Sequence, residues 1–290
     1  MKTGWFVSSL AFAVVLFALT GRPLMAEPLS SAGPQRVVSL SLCADQFVLA
    51  LTPRERIKGL SVLANSERYS PFAAEAQGLV RHRATAEEVM ALDPDLVVAG
   101  GYTRRQTVDM LTRLGVPLLS LPPAELGDVP DLIAQVAAAV GNPEGGARLA
   151  AAFTSALTRA RDRGMVGALY RPGGDLPGPK TVENEVIERA GLTSLAASLG
   201  LQAYARVTIE ELVVHRPDVL IVDSRHDAGP SLGRQILFHP ALRQMSAVHG
   251  MADVEMPIRY WLCASPRSTA AISLLTDKLD RLDGQGGRVQ

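Results

Sequence analysis

Aromatic and arginine side chains gather just after the apolar runs of this sequence. In chain order they are Ser41 and Cys43, Arg68 and Tyr69, then Tyr102, Arg104 and Arg105. The second half adds Tyr170 and Arg171, then Asp223, Ser224, Arg225 and His226, and finally Arg259, Tyr260 and Trp261. Four of the five tyrosines of the chain are in this set. Flat aromatic rings stack on large planar ligands at low entropic cost, and arginines pair with oxyanions through two parallel hydrogen bonds. The chemistry that follows is capture of a bulky, partly anionic metal complex. Bond-breaking chemistry has no such support. "VVAGGYTRR" carries two adjacent glycines and no third, which excludes a dinucleotide fingerprint, and Gly-x-Ser-x-Gly is absent. The five histidines (His82, His215, His226, His239, His249) show no ligand spacing, so no bare-metal site is expected. The expectation is therefore a non-enzyme with no catalytic residues and no cofactor beyond its ligand.

Those residues need elements to place them. The β-branched runs at 36–42, 56–63, 95–100 and 116–121 read as strands, and "TRRQTVDMLTRLG" between the last two has helical spacing and ends at Gly115. Strands alternating with helices imply a parallel sheet covered on both faces. Asn142-Pro143 then opens a helix expected to run about twenty residues to Gly164, some 30 Å. The second half starts again with "GALYR", a Gly/Pro-rich loop at 172–179 placed at the cleft rim, "TVENEVIERAG", "DVLIVDS", "DVEMPI" and a last helix from about 268 to 282. The expected fold is α/β: two Rossmann-like parallel-sheet lobes joined by one long helix, with the ligand cleft between the lobes. The boundaries are 27–140 for the N-terminal lobe, 141–164 for the connecting helix and 165–290 for the C-terminal lobe. In such sheets ligands bind beyond the carboxyl ends of the strands, where the aromatic and arginine set falls.

One unit occurs twice. Thr85-Ala86-Glu87-Glu88 and Thr208-Ile209-Glu210-Glu211 each lead through a short apolar helix to Pro-Asp and a buried strand. Thr-x-x-Glu is a capping box, which employs Glu88 and Glu211. Glu87 and Glu210 are left over, with complementing the helix dipole as their only local task.

At the N-terminus Lys2, an apolar run and a small residue at Ala26 form the pattern of a secretory signal peptide, residues 1–26, cleaved near Ala26. A retained anchor is the other reading of that run. With 29 basic and 29 acidic residues the chain has no net charge, so nothing points to nucleic acid. Export makes a disulfide between Cys43 and Cys263 the leading possibility for the two cysteines. Free thiols, or thiolate ligands to a soft metal or cobalt, are the alternatives.

Taken together, "RVVSLSLCADQFVLAL…RIKGLS", "AEEVMALDPDLVVAG…LTRLGVPLLSL", "IEELVVHRPDVLIVD" and "FHPALRQMSAVHG…YWLCASPR" resemble the periplasmic substrate-binding proteins of ABC importers. The class concerned has a helical backbone and handles cobalamin and ferric siderophores. The resemblance covers essentially the whole chain after residue 26. It implies a monomeric periplasmic receptor that delivers its ligand to an inner-membrane permease and ATPase, with Glu87 and Glu210 meeting arginines of the permease. The ligand-binding set it leaves is Cys43, Tyr69, Tyr102, Arg104, Tyr170, Arg171, Arg225, Arg259, Tyr260 and Trp261. Some cobalamin-binding relatives place an acidic residue before the aromatics where this chain has Arg259, which points to an anionic ligand such as a ferric siderophore. A corrinoid receptor and a non-transport periplasmic sensor are the alternatives. Chelatases share the two-lobed plan, but they are cytoplasmic.

Overall fold

The first sheet is built from the Val- and Leu-rich runs. In the computed structural model, which describes residues 33–224 and 235–286, its strands are β1 (Val37–Ser39), β2 (Ile57–Ser61), β3 (Arg81–His82), β4 (Leu96–Ala99) and β5 (Leu118–Ser120). They lie in the order β3-β2-β1-β4-β5, all parallel. Helices α1 (Leu42–Leu51), α2 (Ala86–Met90) and α3 (Arg105–Arg113) provide crossovers. The second sheet has the order β11-β10-β6-β8, again parallel, from β6 (Val166–Leu169), β8 (Thr193–Ser194), β10 (Val219–Ser224) and β11 (Ala252–Pro257). Around it lie α6 (Val182–Arg189), α7 (Leu195–Ser198), α8 (Ile209–His215), α9 (Pro240–His249) and α10 (Thr269–Gly286). Central strands such as β10 are buried almost throughout, which is why they read as unbroken apolar runs. The signal-peptide residues and Arg225 and His226 lie outside the described residues.

The connector differs from expectation. After α4 (Val129–Ala139), helix α5 (Pro143–Ala156) has 14 residues, about 21 Å, and stops eight residues before Gly164. Asn142 caps its start as expected, accepting from the Gly145 amide at 3.1 Å. The following segment leaves the helix to bond elsewhere: the Ala160 amide donates to Arg189 O and the Arg163 amide to Gly191 O. Arg163, its side chain only 3% exposed, pairs with Asp280 and Asp283 of α10. These contacts take the place of the hydrogen bonds of another helical turn. The loop at 172–179, placed from sequence only at the cleft rim, contains a short strand. Its β7 (Asp175–Pro177) pairs antiparallel with β9 (Tyr204–Arg206) as a separate ribbon over the second sheet.

The repeated unit has a structural explanation beyond its glutamates. Asp93 and Arg216, each preceding a proline, are both left-handed, with φ of 47° and 48°. The aspartate after each proline then ties down the start of the neighbouring strand. Asp95 accepts from the amides of Gln35 and Arg36 beside β1, and Asp218 accepts from the Val166 amide of β6. The capping boxes are not equivalent. In α8 the Thr208 hydroxyl accepts from the Glu211 amide and the Glu211 carboxylate accepts from the Thr208 amide. In α2 only the Thr85 half forms, because Glu88 accepts from the Arg83 amide instead. The intervening Ala84, at φ 57°, turns the chain so that this amide comes first to the carboxylate.

The described residues form one compact unit. One buried cluster runs from Val37, Phe47 and Val98 of the first lobe through Ile133 and Phe153 to Leu169, Val186, Trp261 and Leu275 of the second. Burial of this kind contributes about 25 cal/mol per Å² of apolar surface. The helical pair α4–α5 is thus a shared wall rather than a free-standing strut.

Candidate functional site

A cavity of about 790 Å³ opens between the lobes at the carboxyl ends of their strands. This is the size expected for a bulky small-molecule site. From the first lobe its wall takes Ser41 and Cys43 at the start of α1, Tyr102 after β4, and Pro122 and Pro123 after β5. Ser41 caps α1, accepting from the Ala44 amide. The paired glycines of "VVAGGYTRR" serve close packing here, not phosphate binding. A Cβ on Gly100 would lie 2.5 Å from Ser41 Oγ, and one on Gly101 would lie 2.6 Å from the Pro123 nitrogen.

The second lobe contributes Arg171, Thr181, Glu183, Tyr204 and Trp261. Glu183, 2% exposed, is the centre of this group. The Tyr204 hydroxyl donates to its carboxylate, 3.2 Å from each oxygen. The Arg171 guanidinium lies 3.4 Å from Oε1 and also stacks over the Tyr204 ring, 5.6 Å from its centroid. Burial pushes the Glu183 carboxyl up; Arg171, its own backbone amide and Tyr204 oppose that. Burial, together with the Glu183 charge, also pushes the Tyr204 phenol above its ordinary range. Asp223, at the end of β10, is raised by burial too, and Arg171, Trp261 and Arg68 hold it back. The Trp261 indole lies beside that carboxylate, although no hydrogen bond of normal geometry closes from its N–H. Arg171 therefore serves two buried carboxylates at once.

Cys43 and Cys263 are bonded to each other, with Cα atoms 5.4 Å apart, and both line the cavity. The bond joins α1 of one lobe to the loop after β11 of the other. Three further ties flank it. Arg259 Nη1 donates to Glu67 O at 2.8 Å, Arg267 donates to Pro71 O and pairs with Glu75, and the Leu126 amide donates to Glu185 at 3.0 Å. The Ser268 hydroxyl donates to Cys263 O at 2.7 Å and accepts from the Ser265 amide, which fixes the cysteine-bearing loop.

Of the residues singled out from sequence, the structure brings Cys43, Tyr102, Arg171 and Trp261 together on this cavity. Tyr102 is 86% exposed at the mouth, whereas Trp261 is 1% exposed and belongs to the core as much as to the floor. Others lie off the cavity. Tyr170 is buried in the second lobe and its hydroxyl donates to Val207 O at 3.0 Å, so it is a packing residue. Arg259 is engaged with Glu67 and stacked over Tyr260, so neither it nor Tyr260 lines the cavity. Tyr69 lies under Arg68, outside the lining, and Arg104 is an exposed residue at the start of α3. Arg225 lies outside the described residues. Sequence reasoning missed Glu183 and Tyr204. Tyr204 lies in β9 of the small antiparallel ribbon, an element absent from the sequence reading. Glu183 hid in the first turn of α6, where acids are ordinary helix-start residues.

Glu87 and Glu210 are exposed in the first turns of α2 and α8, and their carboxylates make no ion pair or hydrogen bond among the described residues. No described helix is long and apolar enough to cross a membrane, and the described residues hold no cluster of three or more side chains suited to a metal ion.

Comparison with known proteins places this geometry. A cobalamin-binding protein of Halobacterium salinarum is 29% identical over 204 residues, 65% of this chain and 53% of its own. The chain thus spans about half the length of that relative. A vitamin B12-binding protein of Yersinia pestis is 24% identical over 234 residues, 77% of this chain and 79% of its own. Among solved structures, the periplasmic heme-binding protein RhuT from Roseiflexus sp. RS-1 superposes with a TM-score of 0.68 at 24% identity, over 84% of this chain and 97% of that one. The periplasmic vitamin B12 binding protein BtuF of Vibrio cholerae gives 0.66 at 20% identity, over 86% and 97%. These two likenesses establish the two-lobed α/β fold. The family described as periplasmic binding protein matches residues 37–250. With that match covering most of the sequence, the chain belongs to the periplasmic binding protein family.

Proposed function

We propose that this protein is the periplasmic substrate-binding component of an ABC importer, and that it captures a corrinoid. The observation that carries the reading is the cavity of about 790 Å³ with Tyr102 at its mouth from one lobe, Tyr204 from the other and Trp261 in its floor. Aromatic side chains around a cavity of that volume suit a broad, flat chelate. The names of the curated relatives support a corrinoid. The sequence argument for an anionic ferric siderophore rested on Arg259, which is engaged between the lobes. Arg171 and Lys180 on the cavity wall keep the siderophore as the second reading.

In this reading Glu87 and Glu210 are the docking contacts on the permease, and an ATPase outside this chain drives release. Both carboxylates are exposed and without partners among the described residues, which leaves them available to cationic side chains at little desolvation cost. Calorimetric titration with cobalamin, heme and a panel of ferric siderophores tests the ligand. Submicromolar cobalamin binding is expected, and a ferric siderophore bound in its place would overturn the corrinoid assignment. Replacing both glutamates with alanine should abolish uptake in cells and leave affinity unchanged; a loss of affinity would remove the docking role.

A further inference from the structure

The cavity wall has an unexpected charge balance. Its described lining holds Glu125, Asp128 and Glu183 against Arg171 and Lys180. The deepest cation, Arg171, is already paired with Glu183 at 3.4 Å and drawn towards Asp223. The two arginines beside the floor loop are also committed, Arg259 to Glu67 O and Arg267 to Pro71 O and Glu75. Tyr204 cannot offer its proton to a ligand without releasing Glu183, since its hydroxyl sits between both carboxylate oxygens. What this floor offers an incoming molecule is carboxylate oxygen, held rigidly and nearly dry.

We propose that Glu183, positioned by Arg171 and Tyr204, is a specificity residue that makes the cavity accept a neutral macrocycle carrying amide hydrogen-bond donors and reject one carrying peripheral carboxylates. A carboxylate brought against the floor would meet a buried like charge whose one close cation is already shared. Like-charge juxtaposition in such a place is costly, whereas an amide N–H finds an acceptor. The inference rests on the corrinoid reading above and adds to it a basis for discrimination.

The test compares cyanocobalamin with its monocarboxylic acids, in which one peripheral amide is hydrolysed and size and shape are kept. At pH 8 the parent should bind, and at least one acid isomer should bind about tenfold or more weakly. In the Glu183→Gln protein that gap should shrink, because the floor charge is gone and Arg171 is left with Asp223 alone. Tyr204→Phe, which keeps the ring and the Glu183 charge, should preserve the gap and serves if Glu183→Gln does not fold. Equal binding of parent and all acid isomers, or tighter binding of an acid, would overturn the proposal while leaving the corrinoid reading intact. Failure of every corrinoid to bind would overturn both.

Discussion

Asp45 offers a stability test that needs no ligand. It lies in the first turn of α1, two residues beyond Cys43, and is completely buried. Its carboxylate accepts from the Ser61 amide at 3.1 Å and from the Ser61 hydroxyl at 2.5 Å. Burial pushes its pKa from 3.8 up to about 7, against the Ser61 and Ser39 hydrogen bonds that favour the charged form. The folded protein therefore keeps a proton that the unfolded chain has lost, and stability falls as pH rises from about 4 to about 7. About three pH units at 1.36 kcal/mol each amount to roughly 4 kcal/mol. Glu183 and Asp223 are raised in the same sense, so the wild-type curve alone is not diagnostic. Asp45→Asn isolates the residue, because the amide keeps an acceptor for the Ser61 N–H. In urea unfolding at pH 4, 5, 6, 7 and 8, the variant should gain on wild type by about 2–4 kcal/mol across that range. A difference constant to within about 0.5 kcal/mol would mean that Asp45 titrates normally and that its surroundings are wetter than the packing implies.

Three other measurements bear on the residues singled out from sequence. Opening the Cys43–Cys263 bond, which closes a separation of 220 residues, should cost up to about 5 kcal/mol on the chain-entropy relation, read as the loss in unfolding free energy of the Cys43→Ala/Cys263→Ala protein. Trp261→Ala should lower thermal stability as well as affinity, by about 3–5 kcal/mol, since the ring is almost wholly buried; an unchanged melting temperature would make it a surface contact. Tyr170→Phe should cost about 1 kcal/mol for the lost bond to Val207 O and leave ligand affinity untouched, and an affinity change in calorimetry would return Tyr170 to the site.

Strands and lobes were legible because their signal is local. "VVS", "LVVA" and "VLIVD" are buried on both sheet faces, and burial of that kind leaves an apolar run in the sequence. The repeated unit was legible in its Thr caps and its Pro-Asp, but the task of that aspartate was not, since it depends on which strand lies beside it. The end of α5 at Ala156 was hidden for a similar reason. Nothing within residues 157–163 breaks a helix, and the partners that do so, Arg189, Gly191, Asp280 and Asp283, come later in the chain. In the site, residue type indicated aromatics and arginines, but type does not say whether an arginine is free. Arg259 looks like a ligand residue until the carbonyl it reaches is known.

The same bond that joins the lobes imposes an order of events on the growing chain. Cys43 leaves the ribosome 220 residues ahead of Cys263, which at 5–20 residues per second is about 10–40 s. Until Cys263 is made, Cys43 has no partner thiol within the chain. The bond cannot close before the loop after β11 reaches α1. It can only record that the second lobe has arrived in register, so a chain carrying it has already passed a test of its own assembly.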